Sequence, residues 1–180
     1  EMNKIVIITG ASRGIGAATA ILAAERGYAV CVHYLRNRAA ADVVVEAIER
    51  AGGKAIAVAA DVAVETDVVR LFETVDRTWG PLTALVNNAG ILDRQMRVED
   101  MSAARLNRIF TTNITGYFLC AREAVRRMST RHRGAGGAIV NVSSGASRLG
   151  SPCEYVDYAA SKGAIDTLTI GLAQEVAADG

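Results

Sequence analysis

Lys4 to Thr9 (Lys-Ile-Val-Ile-Ile-Thr) is an unbroken apolar, β-branched run, the pattern of a strand buried on both faces of a parallel sheet. Gly10 to Gly16 breaks it, and Ala17 to Arg26 reads as a helix stopped by Gly27. The alternation then repeats. Strands are predicted at Tyr28–Tyr34, Lys54–Ala60, Leu82–Val86 and Ala138–Val142, and helices at Ala39–Arg50, Glu65–Thr78 and Asp157–Ala178. A long helical region from Ser102 to Arg127 is interrupted near Thr112-Asn113 and Gly116. Strands that alternate with helices of ten or more residues build βαβ units with right-handed crossovers. The expected fold class is therefore α/β, a doubly wound parallel sheet with helices on both faces, formed by residues 1–180 as a single domain. Ligands of such sheets sit beyond the carboxyl ends of the strands.

The charge balance narrows the partners. A formal net charge of +1 implies no nucleic acid or other polyanion. The clusters Arg126-Arg127 and Arg131-His132-Arg133 read as the solvated end of a helix. No apolar run is long enough to cross a bilayer, so no membrane partner is expected. Asn3 to Thr9 reads as a strand rather than a signal peptide, with no small-residue cleavage site after it. Cys31, Cys120 and Cys153 lie far apart, without metal-ligand spacing and odd in number. No metal is expected, a reducing cytoplasm is the default location, and Cys31 and Cys120 read as buried small hydrophobes.

Two motifs carry chemistry. Thr9-Gly10-Ala11-Ser12-Arg13-Gly14-Ile15-Gly16 follows the first strand and opens the first helix. Glycines there permit a tight turn and let the backbone approach a pyrophosphate, while the helix N-terminus offers free N–H groups and a positive dipole end. Glycines also simply make turns. Tyr158-Ala-Ala-Ser-Lys162 sets a phenol and an ammonium four residues apart, on one face of a helix. An ammonium favours the phenolate and lowers a pKa that starts near ~10, so the tyrosine can donate or accept a proton. Tyr155 is a rival, but four residues beyond it stands Ala159, not a cation.

The Gly-x-x-x-Gly-x-Gly spacing, Asp61-Val62, Asn87-Asn88-Ala89-Gly90, Asn113, Ser144 and Tyr158-x-x-x-Lys162, in that order, resemble the short-chain dehydrogenase/reductase family over nearly the whole chain. The resemblance implies a Rossmann-type fold and an oxidoreductase that moves a hydride between a nicotinamide cofactor and a carbonyl or alcohol. It implies that Tyr158 is the general acid/base and that Lys162 lowers its pKa and holds the nicotinamide ribose. By the same resemblance Ser144 polarises the substrate oxygen, and Asn113 anchors a water that links the lysine to solvent. Ser143 rivals Ser144, but adjacent residues leave a strand on opposite faces. Gly10, Ser12, Arg13, Gly14, Ile15 and Gly16 would cradle the cofactor. Asp61 and Val62 would hold the adenine, and Asn88, Ala89 and Gly90 would pass close to its ribose. Without the family, Asp61 reads equally as a helix cap and Asn87–Gly90 as a turn.

No acid stands between His33 and Ala41, where an NAD-type site would bind the ribose 2′-hydroxyl near Tyr34. Arg36 and Arg38 lie there instead, with Arg13 in the turn. Forked, always-charged guanidinium groups suit a 2′-phosphate, so NADP(H) is expected over NAD(H), although Arg36 and Arg38 also fit a solvated helix start. An extended-type sugar-nucleotide epimerase or dehydratase shares Tyr-x-x-x-Lys but spaces its glycines differently. A non-catalytic nucleotide-binding relative would lack the Tyr or the Lys. Cys153, Glu154 and Tyr155 either line the substrate pocket or form an exposed loop. The resemblance further implies a homotetramer or homodimer built on the Ser102–Arg127 helices. It also implies further strands and a substrate lid after Gly180, a C-terminal part absent from this chain.

Overall fold

The computed structural model describes residues 4–180; Asn3, expected to begin the first strand, lies outside them. The chain runs β1 (Ile5–Ile8), α1 (Gly14–Glu25), β2 (Ala29–Tyr34), α2 (Arg38–Arg50), β3 (Lys54–Ala59), α3 (Glu65–Trp79) and β4 (Ala84–Asn87). It continues through α4 (Ala103–Phe110), α5 (Gly116–Met128), β5 (Ala138–Asn141), α6 (Ala146–Leu149) and α7 (Val156–Glu175). All strand pairs are parallel, in the order β3-β2-β1-β4-β5. The sequence moves outward from β1 to β3, then returns to the other side of β1. The crevice between the ends of β1 and β4 is therefore the switch point at which such sheets bind ligands.

The first strand explains its own composition. Alternate residues of a strand face opposite sides of the sheet, and here both sides are covered. Ile5 and Ile7 pack with Leu71, Phe72 and Val75 of α3 and Cys120 and Ala124 of α5. Val6 and Ile8 pack with Ala20 of α1 and Ala41, Val44 and Ile48 of α2. Cys31 and Cys120 are fully buried in this core, as expected, while Cys153 is exposed.

The differences from the sequence reading have local causes. Helix α1 begins at Gly14 rather than Ala17, because the first turn of a helix needs no partner for its N–H groups and so tolerates glycine there. The expected break in the long helical region is a π turn over Thr111–Thr115, which opens the helix at Asn113 without ending it. Gly116 follows it because a Cβ there would stand 2.9 Å from Val62 Cγ2. Helix α6 and the short 3₁₀ turns at Val98–Asp100 and Thr130–His132 are too brief to show a period. Arg127 is not solvated. It reaches Asp76 at 2.7 Å and Glu123 at 2.8 Å and covers the Phe72 ring at 5.2 Å from its centroid.

Candidate active site

Because every strand is parallel, the segments after β1, β2, β3, β4 and β5 emerge along one edge of the sheet. That edge collects the glycine turn, Tyr34 and Arg36, Asp61 and Val62, Asn88–Gly90, and Ser144. Gly10 and Gly14 have φ of +64° and +56°, left-handed values that favour glycine. A Cβ on Gly16 would stand 2.6 Å from Asn88 Nδ2, so this glycine is required by the close approach of β4. Asn88 is the bracket between the two strands. Its Nδ2 donates to the carbonyls of Thr9 (2.9 Å) and Gly10 (3.1 Å), and its backbone N–H and that of Ala89 both donate to Thr9 Oγ1. Helix α1 has no side-chain cap, and its first intrahelical bond runs from Ala17 N–H to the Arg13 carbonyl. The earlier N–H groups, around Ile15, stand at a positive helix end, and the Ile15 side chain itself is 67% exposed. This is a cradle fitted to a pyrophosphate.

The same cradle rests on a residue that the sequence reading passed over. His33, 2% exposed at the end of β2, accepts the Gly10 N–H on Nδ1 at 2.9 Å. Its Nε2 lies 2.9 Å from the Ala60 carbonyl, so the ring is neutral with its proton on Nε2. Burial pushes its pKa down, against the opposing pull of the Ala60 carbonyl, Asp61 and Asp67. A histidine one place before Tyr34, in an otherwise apolar strand, was the available signal. Asp61 is not a helix cap. Its Oδ1 accepts from Ala63 N–H at 2.9 Å, and α3 starts after Val64. Val62 is buried against Gly116. Of the arginines, Arg38 is paired with Asp42 at 3.2 Å, whereas Arg13 and Arg36 are exposed and in no ion pair among the described residues.

The other half of the site is built on α7. Lys162 is 3% exposed, and its Nζ donates to the Val142 carbonyl at 2.7 Å and to Tyr117 Oη at 3.2 Å. Burial lowers its pKa to about 8, with Asp166 one turn on pulling the other way. Nζ lies 5.8 Å from the centroid of the Tyr158 ring, so the phenol and ammonium share a face as their spacing predicts. A Cβ on Gly90 would lie 3.5 Å from Asn113 Oδ1 and 3.8 Å from Lys162 Nζ, which joins the β4 glycine to this cluster. Asn113, fully buried in the π turn, exchanges both hydrogen bonds with the backbone of Ile91 (2.8 and 2.9 Å). It also donates to Ser161 Oγ at 3.1 Å, and Ser161 in turn donates to the Tyr158 carbonyl.

Tyr117 was not foreseen. It is 1% exposed, donates to the Val142 carbonyl at 3.1 Å, and burial raises its pKa, so it stays a protonated support for Lys162. Its spacing of four from Asn113 puts it one turn further along the same face, which was legible. Ser143 and Ser144 lie just past β5 and make different contacts. Ser143 donates to the Lys162 carbonyl at 3.3 Å, with Asp166 of α7 nearby. Ser144 accepts the Ala146 N–H at 3.2 Å and so keeps its own proton to donate. Tyr155 precedes the first turn of α7, and Cys153 and Glu154 are exposed beside residues 95–97.

Among the described residues no cluster of His, Cys, Asp or Glu could hold a metal ion, and no helix is long and apolar enough to cross a membrane. The family model described as short chain dehydrogenase matches residues 4–180. The chain is 61% identical over 176 residues to the oxidoreductase YgfF of Escherichia coli K12, covering 98% of this chain and 71% of that one. A short chain dehydrogenase from Mycobacterium avium superposes with a TM-score of 0.91 at 33% identity, over 98% of this chain and 66% of its own. The reductase LugOII, which catalyses keto-reduction at C1 during lugdunomycin biosynthesis, gives a TM-score of 0.89 at 40% identity, over 98% of this chain and 73% of its own. The chain thus spans about two thirds to three quarters of the length of these relatives.

Proposed function

This chain belongs to the short-chain dehydrogenase family, and on that premise we propose that the whole protein is an oxidoreductase reducing a carbonyl, or oxidising the matching alcohol, with NADP(H) in preference to NAD(H). The observation that carries this reading is the buried Lys162 ammonium, held by Val142 and Tyr117 beside Tyr158 and Gly90. Lys162, anchored to a backbone carbonyl and a neutral phenol, sets a cation beside the Tyr158 ring, the pairing that proton transfer through a phenol calls for. The cofactor, when bound, supplies the hydride. Its phosphates fit the uncapped start of α1 and the glycines of the cradle, with Arg13 and Arg36 available to a 2′-phosphate. Asp61 and Val62 would contact the adenine, and Ala89 and Gly90 its ribose.

In reduction, Ser144 donates to the carbonyl oxygen and Tyr158 delivers its proton as the alkoxide forms. Lys162 stabilises the phenolate left behind, and Asn113 holds the segment through which water would refill it. The reading also includes a cytoplasmic homodimer or homotetramer, which accords with three free thiols and an exposed Phe118 on α5. The test is loss of NADPH absorbance by the whole protein against a panel of ketones, aldehydes and sugars, repeated with Tyr158→Phe. That variant keeps the ring and loses the proton, so turnover should fall about 10²- to 10⁴-fold while NADPH still binds. Near-normal turnover in Tyr158→Phe would overturn the assignment, and a higher kcat/KM with NADH than with NADPH would overturn the cofactor preference.

A further inference from the structure

Arg105 and Asp157 form a buried ion pair, their side chains 5% and 1% exposed, joining α4 to the first turn of α7. Every nitrogen of the guanidinium is used. Nε donates to Asp157 Oδ2 at 2.7 Å, Nη2 to Oδ1 at 3.3 Å, and Nη1 to the Arg94 carbonyl at 2.7 Å, with Met96 Sδ at 3.8 Å. Asp157 Oδ1 also accepts the backbone N–H of Tyr158 at 2.9 Å. Residues 91–97 have no regular secondary structure, yet they are fixed almost link by link. Asn113 holds Ile91 and Arg108 pairs with Asp93. Met96 N–H donates to the Glu154 carbonyl at 3.0 Å, and Gln95 reaches the Glu154 carboxylate. Arg105 sits where this segment, the 151–155 loop and the start of α7 meet.

We propose that Arg105 and Asp157 are positioning residues that fix the backbone of Tyr158 and lock residues 91–97 against it as one preorganised wall of the carbonyl pocket. The proposal rests on the reading of Tyr158 as the proton donor. Stability alone does not account for the pair. A buried ion pair pays heavy desolvation, and apolar replacements of similar volume are often neutral or stabilising. A forked guanidinium contributes direction instead, because its donors are set at fixed angles to both carboxylate oxygens and to a third, separate backbone carbonyl. A displaced catalytic group costs rate steeply, which gives such direction a use.

The test is the double variant Arg105→Met/Asp157→Leu in the whole protein, which removes both charges and leaves neither one stranded. Three readouts are needed: NADPH affinity by fluorescence, amide hydrogen exchange, and kcat with NADPH and ethyl acetoacetate as the carbonyl probe. The variant should fold and bind NADPH within about 3-fold of the original protein, since none of the pair's hydrogen bonds reaches the glycine turn. Exchange should quicken about 10-fold or more in residues 91–97 and 156–160 and stay unchanged in β1 and α1. kcat should fall about 10- to 100-fold. Unchanged exchange, or quicker exchange with unchanged kcat, would sink the proposal. Should the double variant fail to fold, Arg105→Lys keeps the charge but not the fork, and the same outcomes decide. If the original protein reduces no probe at all, the functional reading fails, while exchange still reports whether the pair locks the segment.

Discussion

A neutral imidazole with both nitrogens committed inside the sheet is an unusual support for a glycine turn. In His33 the acceptor nitrogen takes the Gly10 N–H and the donor nitrogen reaches the Ala60 carbonyl. Protonation would put a second N–H against the Gly10 donor, so the fold holds the pKa below its ordinary 6.5, chiefly by burial. The sign follows directly. Well above pH 6.5 the ring is neutral in both states; as pH falls through that value the unfolded chain takes up a proton that the folded chain refuses, and stability is lost. His33→Phe should cost about 1–3 kcal/mol by leaving the Gly10 N–H and Ala60 carbonyl unpaired. It should also flatten the pH dependence of the urea midpoint between pH 7 and 5. An unchanged slope in the variant would mean that other groups carry it.

The charge on Lys162 gives a second residue-scale prediction. Its pKa, lowered to about 8 by burial, is partly restored by Asp166. Asp166 is itself held below the ordinary carboxylate range, chiefly by the nearby Ser143 and Ser147 hydroxyls. If reduction requires the ammonium, kcat/KM should decline as pH rises through about 8. Asp166→Asn removes the negative charge and should move that decline to lower pH. A limb that stays in place, or moves upward, would contradict the role given to Lys162.

At the scale of elements, the sequence exposed what is periodic and hid what is bracketed from elsewhere. The strands and crossover helices were legible because β1 to β3 are apolar runs and α2 and α3 carry clear apolar faces, Val44 and Ile48 in one and Val68, Leu71, Phe72 and Val75 in the other. The Tyr158–Lys162 pair and the glycine turn were legible because their residues stand at short, fixed spacings in the chain. The expectation for Asn88 concerned the passage of its backbone near a ribose; that its side-chain amide is also committed to the Thr9 and Gly10 carbonyls across two strands is a partnership no local spacing reveals. The end of α5 misled for the same reason. Arg127 looked solvated, yet it joins Asp76 of α3 to Glu123, which is 4% exposed. Burial pushes the Glu123 carboxyl up, and hydrogen bonds from Arg127 and Arg122 outweigh it and hold it below its ordinary value. Glu123→Ala takes from Arg127 one of its three hydrogen bonds and its buried carboxylate, leaving Asp76 and the residue-123 carbonyl, and a loss of about 3 kcal/mol in urea denaturation is expected. A loss below about 0.5 kcal/mol, typical of a surface pair, would return Arg127 to the solvated class.

At the scale of the molecule, α7 carries apolar residues on both its buried and its exposed sides. Ile165 is fully buried, yet Ile170 is 62% exposed, and Phe118 on neighbouring α5 is 51% exposed. Exposed large apolar side chains that cluster on one surface mark a candidate contact. The outer faces of the two helices form a cleft lined by Phe118, Ala121, Val125, Leu168 and Leu172 and edged by Arg122, Arg126 and Glu175. An apolar stripe with both charge signs on its rim suits a two-fold contact with a second copy, in which each Glu175 can meet the partner's basic edge. The proposed homodimer or homotetramer is therefore best tested on this surface. By sedimentation velocity the whole protein should run as a dimer or tetramer, and Phe118→Glu, which sets a carboxylate in the apolar stripe, should shift it to lower mass. The substituted side chain is exposed in the single chain, so the variant should fold and keep its NADPH affinity. A whole protein that is monomeric at micromolar concentration, or a Phe118→Glu variant of unchanged mass, would move any assembly interface away from α5 and α7.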